Sequence, residues 1–129
     1  MRARSANAGL ARENRVVAQL VGWGWTCASR RHYGGAGDIL AVRWLAEPAD
    51  ATDPLGDADL IIVEVKSTRR PYDHFLPEDR RAMHALAAAT MAEAWLAWWP
   101  ARGALHWIHE SAWPKARPDV ETQPQLPLE

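Results

Sequence analysis

The sequence predicts an α/β fold, a mixed central sheet of about five strands flanked by helices, in the order α-β-β-β-α-β-β. Three observations predict it. Two amphipathic stretches, Ser5 to Val21 and Pro77 to Met91, carry helix signals. The run Leu60-Ile61-Ile62-Val63-Glu64-Val65-Lys66-Ser67 is too evenly apolar for a half-exposed strand and fits a central one, covered on both faces. Four further short runs rich in β-branched or aromatic residues are bounded by glycine, proline or charge. At 129 residues the natural division is one domain, residues 1–113, followed by a proline-rich tail, 114–129.

In the first helix, Ser5 or Asn7 can act as cap, Leu10, Val17, Leu20 and Val21 form an apolar stripe, and Gly22 and Gly24 end it. A strand follows from Trp25 to Arg30, then a glycine-rich loop, His32-Tyr33-Gly34-Gly35-Ala36-Gly37, then a strand from Asp38 to Leu45. Ala46 to Ala58 gathers Glu47, Asp50, Asp53 and Asp57 with Pro48, Pro54 and Gly56, and reads as an exposed hairpin connection carrying an insertion. The second helix opens on Pro77, with Glu78 and Asp79 at its positive end and Met83, Leu86 and Met91 expected inward. Strands Ala94 to Trp99 and Leu105 to Glu110 close the domain. The tail after Trp113 has prolines and no periodicity, so it is expected to be mobile or draped on the surface.

Composition excludes several classes. A single cysteine, Cys27, permits no intramolecular disulfide and no cysteine-rich zinc site. No apolar run approaches the roughly 18 residues of a membrane span, and the Arg-rich start lacks an apolar signal core. A soluble cytoplasmic protein is the default expectation. The net charge of −1 is unevenly spread. Arg2, Arg4, Arg12, Arg15, Arg30 and Arg31 face one acid, Glu13, and a second basic cluster follows at Lys66, Arg69, Arg70, Arg80 and Arg81. Acid is concentrated in the insertion, so a local basic face can exist under a neutral total. The alternative is that these arginines serve solubility alone. Eight tryptophans could stack on unpaired bases, yet Trp95, Trp98, Trp99 and Trp107 fall on strands, where packing is the better reading.

The chemistry lies in charge placed where buried strands should have none. Asp38 opens one strand, and Glu64 and Lys66, two apart on another, project to one face. Two carboxylates suit Mg²⁺ or Mn²⁺, and the Val65 carbonyl could add an oxygen ligand. Such a cation would activate water and draw charge from a phosphate, while Lys66 could orient the water or stabilise developing negative charge. Glu13 falls on the inward stripe of the first helix, where a carboxylate needs a cation or a pairing arginine. Gly34 and Gly35 would let a phosphate backbone approach, with Arg30 and Arg31 beside it. Structural alternatives stand beside these readings, Asp38 as a turn aspartate and Glu64 with Lys66 as an edge-strand pair. Among the histidines, His106 and His109 should face opposite sides, and His74 and His84 have no evident partner.

Gly37-Asp38 followed by Glu64-Val65-Lys66 resembles the PD-(D/E)XK nuclease signature, with Gly37 where proline is commonest. The order of Glu13 on a first helix, arginines before a glycine loop, Asp38, Glu64-Val65-Lys66-Ser67 and a Pro77-led helix is similar to the archaeal-type Holliday junction resolvases, which also occur in some phages. The likeness spans roughly Ala6 to Ile108. It implies a restriction-endonuclease-like fold and a homodimer that nicks four-way DNA junctions with Mg²⁺. In that scheme Asp38 and Glu64 are metal ligands, Lys66 is the catalytic lysine, and Glu13 is an added acid that could also reach the metal. Arg12, Arg15, Arg30, Arg31, Gly34, Gly35, Arg69 and Arg70 would lie along the DNA. The host cell would be bacterial, archaeal or phage-infected. Tyr33-Gly34-Gly35-Ala36 lacks the family's usual loop serine, Asn14 stands where the family has an arginine beside the helix glutamate, with Arg12 and Arg15 as possible substitutes, and the insertion is long. Alternatives are a restriction-like, nicking or flap endonuclease of the same superfamily, or a non-catalytic DNA-binding module. The Trp-rich strands or the segment Tyr72 to Leu76 are the expected dimer surface.

Overall fold

A computed structural model describes residues 2–30, 35–43, 54–100, 103–115 and 124, with side chains described from Leu10 onward. Helix α1 (Arg2–Gly22) leads to strands β1 (Trp25–Ser29), β2 (Ile39–Arg43) and β3 (Leu60–Lys66). Helix α2 (Pro77–Thr90) then precedes β4 (Glu93–Trp98) and β5 (His106–His109). The five strands form one sheet in the order β1-β2-β3-β4-β5. Pairing is antiparallel except between β3 and β4. That parallel pair requires a crossover, and α2 supplies it. The mixed sheet with flanking helices and the order α-β-β-β-α-β-β are borne out.

Strand alternation divides the core into two layers. Ile61 and Val63 of β3, with Trp95 and Ala97 of β4, meet Val16 and Leu20 of α1. Ile62 of β3, with Ala94, Leu96 and Trp98 of β4, meets Met83 and Ala87 of α2, together with Tyr72, Phe75 and Trp113. Ile61, Ile62 and Val63 are all fully buried, as a central strand covered on both faces requires. Gly37, just before β2, has φ +86°, and a Cβ there would lie 2.7 Å from Ile62 Cγ2. Only glycine fits this left-handed, tightly packed position. Proline, with φ held near −65°, could not adopt it.

Several expectations change. Helix α1 begins at Arg2, so Ser5 and Asn7 lie within it rather than capping it. Its buried stripe is Val16 and Leu20, four apart, while Leu10 and Val21 are exposed. Met91 is not inward but 94% exposed. It caps α2 at φ 58°, a conformation that ends the helix and turns the side chain off its inner face. Tyr72 and Phe75, and Trp95 and Trp98 of β4, are core residues and therefore unavailable as exposed dimer anchors. His84 does have a partner: its Nδ1 lies 2.7 Å from Glu110 Oε1, and its ring lies against Trp113. His106 packs on Trp98 and His109 on Trp95, on opposite faces of β5 as strand alternation requires. Arg80, expected in an exposed basic cluster, is buried, giving its Nη1 hydrogen to the Phe75 carbonyl and its Nε hydrogen to the Pro114 carbonyl at 2.9 Å. Arg31, His32 and Gly34, the first eight residues of the insertion, and most of the tail lie outside the described residues. Among those described, no helix is long and apolar enough to cross a membrane.

Candidate active site

The site forms where β2 stops short of β3. Asp38 is tied on three sides by backbone and side chain. Its amide donates to the Val63 carbonyl at 2.8 Å, its carbonyl accepts the Arg30 amide at 2.8 Å, and its Oδ2 accepts the Val65 amide at 2.8 Å. The carboxylate thus takes a ladder position that β2 has not yet reached. In a strand, a residue's N–H and C=O point to the same edge. The Val65 carbonyl is therefore directed toward the Asp38 side, beyond the end of the β2 ladder.

Glu64 and Lys66 share the opposite alternation and meet, with Lys66 Nζ 3.2 Å from Glu64 Oε2. This pairing bears out the expected projection to one face. Burial pushes the Glu64 carboxyl up to about 7, helped by the nearby charges of Asp38 and Asp79 and opposed by Lys66. Asp38 is also raised, by burial first, although the Val65 amide, Lys66 and Arg30 all favour its charged form. Both carboxyls therefore sit in surroundings that lack enough positive charge for them.

A cleft of about 310 Å³ opens beside them, lined by Arg12, Glu13, Asp38, Val65, Lys66, Ser67, Thr68 and His74. Glu13, half-buried on α1, reaches it because Val16 and Leu20 anchor the next turns of the helix against the sheet. A second cleft of about 280 Å³ shares Arg12 and Ser67 and adds Arg15, Trp99 and Pro100. The cleft linings thus bring together Glu13, Asp38, Lys66, Val65, Arg12 and Arg15, and Glu64 is tied to them through Lys66. Arg30 is exposed and near enough to Asp38 to favour its charged form, though it does not line either cleft, and Gly35 lies in the loop before Asp38. Arg69 is exposed, and Arg70 pairs with Asp73 at 3.1 Å, away from the cleft linings. Arg31 and Gly34 fall outside the described residues.

Three groups escaped the sequence reading. His74 lines the cleft, Asp79 acts on Glu64 from the first turn of α2, and Trp99 walls the second cleft. A signal existed for the first two. Any connection from β3 into a parallel crossover must leave from the carboxyl end of β3, beside Glu64 and Lys66.

Among the described residues, no three histidine, cysteine or acidic groups converge as a ready metal cluster. The donor set still fits a hard cation of the Mg²⁺ type, which needs only one or two carboxylates and keeps several waters. Burial holds the pKa of Asp38 and of Glu64 above the ordinary carboxyl range, and a cation would relieve that penalty on their charged forms.

No protein-family model matches the chain, and no curated protein matches its sequence. Among solved structures, Hjc from Archaeoglobus fulgidus, a Holliday junction resolvase from an archaeal hyperthermophile, aligns with a TM-score of 0.64. In fold, this chain is similar to an archaeal resolvase. The alignment covers 90% of this chain and 87% of that one, at 16% sequence identity. At that identity the likeness is one of fold, and it agrees with the fold class read from the sequence.

Proposed function

We propose that this chain is an endodeoxyribonuclease that resolves four-way DNA junctions by metal-dependent phosphodiester hydrolysis, acting as a homodimer. One observation carries the reading: Asp38 and Glu64, two half-buried carboxyls of raised pKa, lie with Lys66 beside a cleft edged by Arg12. The fold likeness to a resolvase supports branched DNA as the substrate class.

Asp38, Glu64 and the Val65 carbonyl would hold Mg²⁺ or Mn²⁺, with Glu13 close enough to the cleft to add a carboxylate. The cation supplies Lewis-acid activation of water and charge neutralisation at the phosphate. With Glu64 committed to a cation, Lys66 would be free to stabilise the negative charge that grows on the phosphate oxygens. Arg12 holds the phosphate in the cleft by charge-assisted hydrogen bonds. Water oxygen would join phosphorus as the bond to the leaving sugar oxygen breaks, and in the net reaction the proton that the water loses is the one that the leaving oxygen gains. A two-fold dimer would present two such sites to opposed strands of a symmetric junction.

A cleavage panel with Mg²⁺ tests this reading, using four-way junction, three-way junction, flap, single strand and linear duplex, with Glu64→Ala as control. Symmetric nicks in the four-way junction, absent in Glu64→Ala, are expected. Preference for flap or linear duplex would move the chain to another nuclease activity. Binding without cleavage in Mg²⁺ or Mn²⁺ would make it a non-catalytic DNA-binding module.

A further inference from the structure

Among the described residues, three arginines lie over aromatic rings, and they differ in what their N–H groups do. Arg43 sits 4.4 Å from the Trp25 ring centre, is buried, and donates to the carbonyls of Gly56 and Ala58. Arg80 lies over Tyr72, is buried, and donates to the carbonyls of Phe75 and Pro114. Both are structural clasps. Arg15 lies closest of the three, 3.9 Å from the Trp99 ring centre, yet it is exposed and its donors meet no protein acceptor among the described residues. It lines the second cleft, which joins the catalytic cleft through Arg12 and Ser67.

Stacking engages the face of a guanidinium and leaves its N–H edge available, which is the geometry for a bidentate hold on a phosphate. The aromatic face also removes much of the freedom the side chain would otherwise lose on binding. Trp99 is itself fixed, its Nε1 hydrogen donated to the Gly103 carbonyl at 3.0 Å.

We propose that Arg15, held over the Trp99 ring, is a phosphate clamp that grips the DNA strand next to the phosphate being cut. Trp99 is the positioning residue and Arg15 the contact. The clamp rests on the nuclease reading and extends its DNA path from the catalytic cleft along the second one.

The test is binding of a four-way junction to the full chain in Ca²⁺ across a salt series. One phosphate contact contributes a slope of about −0.9 to log K against log salt. Arg15→Gln should weaken binding about tenfold at low salt and make the slope shallower by about one contact. Trp99→Ala should do the same, Trp99→Phe should retain most of the effect, and the double variant should be no worse than either single one. A single neutral methylphosphonate beside the cut site should weaken the wild type and leave Arg15→Gln unchanged. Should Trp99→Ala misfold, Arg15→Gln on its exposed helix face still decides the matter. A wild type that binds no DNA overturns the nuclease reading and the clamp together. A wild type that binds and cuts, with an unchanged salt slope in Arg15→Gln, overturns the clamp alone, and Arg15 with Trp99 is then only a fastening of α1 to β4.

Discussion

Asp38 Oδ2 accepts the amide of Val65 at 2.8 Å, so one side chain both closes the β2–β3 ladder and sits in the cleft. This double duty separates two kinds of substitution. Asp38→Asn keeps an oxygen for the Val65 amide and removes the charge. Asp38→Ala removes both, and the part-buried amide loses its partner at a cost of about 1–3 kcal/mol. Junction cleavage should fall at least 100-fold in both, as loss of an electrostatic group at a reaction centre does. Only Asp38→Ala should also lower the midpoint of urea unfolding. Full activity in Asp38→Asn would remove this carboxylate from the chemistry.

Glu13 is the test of how far the site extends onto α1. It is half-buried and lines the same cleft as Asp38 and Lys66. Glu13→Gln preserves its shape and should cut turnover at least tenfold, while the unfolding midpoint moves little. Near-normal turnover would return Glu13 to a packing or pairing role.

Much of this arrangement was legible in sequence because it depends on local pattern. The evenly apolar run before Glu64 placed β3 at the centre, and strand alternation paired Glu64 with Lys66, as their 3.2 Å contact bears out. What was not legible depends on which of several faces packs. Helix α1 has apolar residues around much of its surface, and only contact with the sheet selects Val16 and Leu20 over Leu10 and Val21. Arg15 and Trp99 are far apart in sequence, and His84 meets Glu110 across the turn after β5. No periodicity encodes such pairs. Met91 misled because an apolar residue at a helix end reads as core, whereas its backbone conformation makes it the cap.

Without a divalent cation, the protein should lose stability as pH rises. The Glu64 carboxyl is pushed from 4.5 to about 7, so between these values the folded state holds a proton that the unfolded chain releases. Its stabilising contribution is fully present below about pH 4.5 and lost as pH rises through about 7. Asp38, also raised, acts in the same direction. In EDTA, urea unfolding should show about 1–3 kcal/mol less stability at pH 7.5 than at pH 5. Glu64→Gln should flatten that dependence, and Mg²⁺ should offset the loss in the wild type. A wild type equally stable at both pH values would mean that Glu64 is solvated or fully compensated by Lys66.

Gly37 sets the turn that leads into Asp38, and its backbone explains why no residue with a Cβ should replace it. At φ +86°, with an added Cβ 2.7 Å from Ile62 Cγ2, alanine meets both a strained conformation and an overpacked layer. Gly37→Ala should destabilise by about 2–5 kcal/mol, the sum of a left-handed backbone penalty and a core overpacking cost. Gly37→Pro should be worse, because its ring excludes positive φ and would force Asp38 to turn away from the Val65 amide. Cleavage should then fall further than the remaining folded fraction accounts for. Urea unfolding followed by activity per folded molecule at low temperature separates the two effects. If Gly37→Pro folds and cuts as well as the wild type, the left-handed turn is not what aims Asp38.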